Sequence, residues 1–154
     1  MFTSTLSQTL RFTLVAAILA VITPGALAQS DTGPARECID RVTAIADRTV
    51  QANRQTATRT VAAIEELDAN GAENREIVGT GRMGKAAIER HSHASIARIH
   101  RIVTECVRLL RENDAPPEAI AAVIRAGERA TGQIVTSARH AKSRIGRAVA
   151  AAIE

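Results

Sequence analysis

The 154 residues carry 20 Lys and Arg against 16 Asp and Glu, with two Cys, two Phe and no Trp or Tyr. Both aromatic residues, Phe2 and Phe12, fall in the first twelve positions, so the rest of the chain has no aromatic ring. That composition excludes an aromatic-anchored core and a base-stacking surface, and the small positive balance argues against nucleic acid as a partner.

Residues 1–28 read as a secretory signal. A polar start with Arg11 precedes the apolar run Phe12 to Ile22, Pro24 ends it, and Ala26 and Ala28 supply the small residues a signal peptidase reads. The expected cleavage follows Ala28. The apolar run is too short for a membrane anchor, which needs roughly 18 residues or more. The expected location is periplasmic or secreted, with residues 29–154 forming a single domain.

Three long helical patterns fill that domain. The first spans about 34–69. Pro34 suits a first helical turn, and Cys38, Val42, Ala46, Thr49, Asn53, Ile64 and Leu67 recur on one face. Ile39, Ile45, Thr56 and Thr60 extend that face, and Asn70-Gly71 ends the helix. The second spans about 73–113, with an expected buried stripe of Ile77, Gly81, Gly84, Ile88, Ser92, Ser95, Ile99, Ile102, Cys106 and Leu109. Its glycines make its start the least defined boundary. Pro116 and Pro117 open the third, about 116–153, whose apolar face is Ile120, Val123, Ile124, Gly127, Thr131, Ile134, Ala138, Ile145, Val149 and Ala152. No strand pattern competes. The fold class expected is all-α, an elongated up-down-up three-helix bundle.

The cysteines fix the register. In an exported chain an even pair implies a disulfide. Cys38 lies 32 residues before Asn70 and Cys106 lies 35 after Gly71, so an antiparallel hairpin brings them level. A Cys38–Cys106 bond would then staple the open end of a bundle roughly 50 Å long.

Within this frame, "GTGRMGKAA" at 79–87 imitates two phosphate loops. Gly79, Gly81 and Gly84 spell the dinucleotide pattern, and Gly79 to Lys85 the P-loop. Both need a preceding buried strand, which "ENREIV" does not supply, and Ala86 stands where the magnesium-binding hydroxyl belongs. The expectation is therefore no nucleotide and no cofactor. Gly81 and Gly84 instead either face the core and permit close approach of a neighbouring helix, which the cysteine spacing favours, or delay the helix until about Met83 and leave a long loop.

Three further groups of residues are candidates. The register sets Thr49 and Asn53 opposite His91, Ser92 and Ser95, a polar layer that fixes helix register or holds a small polar ligand. Glu89, His93 and His100 are the candidate metal ligands. Glu89 and His93 share a helix face one turn apart, His100 lies about 10 Å further along, and a second helix would have to complete the shell. His91 and His93, two apart, point in opposing directions.

Charge is uneven along the chain. Residues 30–76 hold six Arg and nine acids, residues 77–112 seven bases and three acids, and residues 130–153 hold Arg139, Lys142, Arg144 and Arg147 with no acid. Arg139, Arg144 and Arg147 are expected opposite the apolar face, where they complement the helix dipole or meet an anionic partner. No nucleophile–base–orienter set emerges, so no catalytic residue is assigned and the chain reads as a non-enzyme. The expected role is an exported binding or structural protein that meets a protein or anionic envelope polymer through the basic third helix, with self-association as a further expectation. Metal or small-ligand binding and, more weakly, an exported hydrolase are the alternatives.

Overall fold

The computed structural model describes residues 33–154, and these form three helices. α1 is Pro34–Ala69, α2 is Asn74–Glu112 and α3 is Pro117–Ala152. The expected signal segment and cleavage site lie outside the described residues. None of the described helices is long and apolar enough to cross a membrane.

The ends follow local chemistry. Asn70 caps α1, and Gly71 takes a φ of 67°, where only a residue without a Cβ sits freely. Ala72 then donates to the Leu67 carbonyl and Gly71 to that of Asp68, each at 2.9 Å, which satisfies the last carbonyls of the helix. α2 ends the same way, with Ala115 donating to Leu110 and Asp114 to Arg111. Here Asp114, at φ 50°, occupies the left-handed position that glycine fills at the first turn. Pro116 caps α3 rather than opening it, and Pro117 is the first helical residue.

α2 runs antiparallel to both other helices. Cys38 is bonded to Cys106 across a Cα–Cα distance of 6.2 Å. The expected register holds along the whole hairpin, because Thr49 meets Ser95 and Gly84 lies against Thr60. Against α3, Gly127 approaches Val103 and Gly81 approaches Val149. α1 and α3 are parallel and share both ends of the core. Val42 and Ala46 pack with Val123 and Ala130 near the disulfide, and Ile64 with Ile145 near the Gly71 turn.

The buried stripes differ from the expected ones in three places. Leu110, not Leu109, is buried in α2, since Leu110 follows Cys106 by one turn on the face the disulfide pulls inward. Ala57 replaces Thr56 in the α1 core, and Ala126, Ala130 and Ala141 are buried in α3 while Ile124 is 38% exposed. In α1 and α3 the reason is common. Each packs against two neighbours, and where helices come closest only an alanine or glycine fits, so larger side chains move to the flanks.

The glycines of "GTGRMGKAA" lie within α2. Gly81 and Gly84 are buried. A Cβ at Gly81 would strike Val149, and one at Gly84 would strike Thr60. Gly79 faces open space, so nothing in the packing requires a glycine there.

Candidate functional site

Of the expected polar layer, Thr49 meets Ser95 and Asn53 meets Ser92, whereas no hydrogen bond joins His91 to them among the described residues. Thr49 and Ser92 are buried, Asn53 is fully buried, and Ser95 is half-buried. Thr49 Oγ1 lies 2.7 Å from the Ile45 carbonyl and 2.8 Å from Ser95 Oγ. One hydroxyl hydrogen cannot serve both, so the Ser95 hydroxyl completes the pair by donating. Ser92 Oγ donates to Asn53 Oδ1 at 3.3 Å. Asn53 Nδ2 and the Nε2 atom of His91 are buried without a hydrogen-bond partner among the described residues. The layer separates two apolar clusters, one around Cys38 and Cys106, the other around Ile64, Ile88 and Ile145. Its hydrogen bonds run between α1 and α2 and specify that pairing.

The candidate metal ligands do not come together. Glu89 accepts a hydrogen bond from Lys142 Nζ of α3 at 2.6 Å. That bond, and the charge behind it, hold the Glu89 carboxyl below its ordinary value. His93 is exposed beside it, and His100 faces the next stretch of the α2–α3 seam with Thr131. Among the described residues no three His, Cys, Asp or Glu side chains are placed to hold a metal ion. From α3 the residue that reaches Glu89 is Lys142.

The four cations in the C-terminal half of the third helix are also divided. Lys142 is committed to Glu89. Arg139 borders the α2–α3 seam alongside that pair. Arg147 is exposed and donates to Ser143 at 2.9 Å, within its own helix. Arg144 turns the other way, into a groove between α1 and α3. The single basic face expected from the helical spacing is therefore an arc that reaches both neighbouring helices.

The α1–α3 groove itself was not legible in the sequence. Its volume is about 960 Å³. Ala57, Ala141 and Gly132 line it, and their small side chains leave the space. Arg54 and Asp47 border it from α1, and Gln133, Thr136, His140 and Arg144 from α3. Arg54, His140 and Arg144 make no ion pair with a described carboxylate. Asp47, Ser137 and His140 share this groove, with no hydrogen bond or ion pair between them among the described residues. A signal for the groove existed, since Ala57 of α1 and Gly132 and Ala141 of α3 are small residues. It could be read only once α1 and α3 were known to run parallel.

Comparison of the chain with protein-family models, with curated proteins and with solved structures gives no match. The functional reading therefore rests on the residues themselves.

Proposed function

We propose that this is an exported binding protein, whose elongated up-down-up bundle presents a basic third helix to an anionic partner, either an acidic protein surface or an envelope polymer. The signal-like residues 1–28 and a disulfide suited to an oxidising compartment support export to the periplasm or beyond. The observation that carries the binding role is the run from Ala130 to Ile153, with four cations and no acid. Only Lys142 of the four is neutralised by a described carboxylate. Arg139, Arg144 and Arg147 keep exposed guanidinium groups, which suit planar oxyanions. Without aromatic anchors the contact is electrostatic and shallow, so it weakens as salt rises through about 0.15 M.

The test is retention of the protein on immobilised poly-glutamate and polyuronate at low salt. Charge reversal by Arg139→Glu, Arg144→Glu and Arg147→Glu together should abolish retention without lowering the melting temperature by more than a few degrees. Undiminished retention of that variant would refute the reading.

A further inference from the structure

We infer that the α1–α3 groove is a binding site for a hydroxylated oxyanion, a sugar-acid or polyol-phosphate unit of an anionic polymer. This rests on the anionic-partner reading and assigns it a place that the basic helix alone does not provide.

Three observations carry the inference. The groove combines cations from two helices, Arg54 of α1 and Arg144 of α3, with the imidazole of His140 beside them. None of the three has a described acidic partner, whereas Lys142, on the other side of α3, does. Two arginines can each present a planar pair of donors to one carboxylate or phosphate.

The groove is also polarised along its length. Asp47 lies two turns before Arg54, about 10 Å along α1. Because α1 and α3 are parallel, Gln133 and Thr136 fall towards the Asp47 end, and His140 and Arg144 towards the other. An oxyanion is favoured at the arginine end. At the Asp47 end a carboxylate, an amide and a hydroxyl accept and donate hydrogen bonds, which suits hydroxyl groups and repels a second anion. A ligand with its charges closely spaced fits poorly, and a ligand with one charge per hydroxylated unit fits well.

Size adds the third argument. About 960 Å³ lies near the upper end of ligand sites and far exceeds one inorganic anion. The small residues Gly132, Ala57 and Ala141 keep it open. A Cβ at Gly132 meets nothing within 4 Å, so the glycine is not there for packing.

Isothermal titration of the protein with oligogalacturonate, with oligo(glycerol phosphate) and with inorganic phosphate distinguishes the sources of the oxyanion. The expected result is binding of at least one oligomer and much weaker binding of inorganic phosphate. Arg54→Gln or Arg144→Gln should each weaken the oligomer about tenfold, the usual effect of one charge-assisted contact. Gly132→Leu should weaken it comparably by filling the groove, with the melting temperature unchanged or raised. Arg139→Gln with Arg147→Gln, on the outer face that the wider reading also uses, should weaken the oligomer less than Arg54→Gln does, and Arg90→Gln with Arg101→Gln, exposed on α2, should change affinity less than about threefold, as solvated charges do. Failure of both oligomers to bind overturns the groove while leaving poly-glutamate retention as the measure of the wider reading. Binding lost in the Arg139 and Arg147 variant but kept in Arg54→Gln also overturns it, and moves the contact to the outer face of α3.

Discussion

The two ends of the bundle are closed by different physics. At the disulfide end, Val42, Ile99, Ile102, Leu110 and Val123 pack around a covalent bond between α1 and α2. At the Gly71 end no covalent link is present among the described residues. Ile64, Ile77, Ile88 and Ile145 pack there between backbones that approach at Gly81 and Gly84. Asn53, Thr49 and Ser92 lie between them and keep the two apolar clusters apart. The lesson is that a core with no aromatic side chains must find its stability elsewhere. Here it is found in a restricted unfolded state at one end and in close helix approach at the other.

Removing the staple should have the largest effect. The bond closes a loop across 68 residues. On the chain-entropy account, Cys38→Ser with Cys106→Ser loses about 4 kcal/mol, seen as a lower denaturant midpoint. Hydrogen exchange sharpens the comparison. The amides of Val42 and Ile102 should lose more protection than those of Ile64 and Ile88. Equal loss at both ends would mean that the bundle opens as one unit and that the division by the polar layer is structural only.

The Gly71 end is tested by two glycines of one short stretch. Gly84→Ala places a methyl against Thr60 and should cost about 1–2 kcal/mol, overpacking outweighing the gain in helix propensity. Gly79→Ala meets nothing and should stabilise by about 0.5–1 kcal/mol. Thermal melts of the two variants should move in opposite directions. A shift in the same direction for both would remove close backbone approach as the feature that holds this end.

The smallest effect concerns the exposed link between α2 and α3. The Lys142 hydrogen bond and charge lower the Glu89 pKa in the folded chain below its ordinary 4.5. A lowered folded value means that the contribution is complete above the unfolded value. It is then lost as pH falls through the folded one. Wild type and Glu89→Gln should therefore differ in melting temperature at pH 7 and converge as the pH drops below 4.5. A difference that persists at pH 2 would mean that Glu89 acts through packing of its stem instead of its charge.

Much of the architecture was legible because helical signals are local. Pro34, the Asn70-Gly71 stop and the "NDAPPEA" break set the helix limits to within a residue or two. The cysteine spacing set the hairpin register, and the register placed Asn53 and Thr49 against Ser92 and Ser95. The candidate sites were less legible. Helical spacing can place Arg139, Arg144 and Arg147 on one outer arc, but it cannot say which neighbour each end of that arc reaches. Nor does it reveal that Lys142 turns to Glu89. Leu109 and Leu110 are adjacent and equally apolar, so only the inward pull at Cys106 chooses between them.

By itself, then, the sequence determined three helices, their ends, the disulfide and the pairing of α1 with α2, because periodicity, caps and cysteine spacing act within a helix or across one turn. Only the tertiary structure decided how α3 lies against both. That placement puts Arg54 beside Arg144 and His140, residues 90 and 86 positions away from it in the chain, and leaves a groove where alanine and glycine meet. No local signal encodes such a neighbourhood, since it depends on the parallel packing of two helices that are not consecutive.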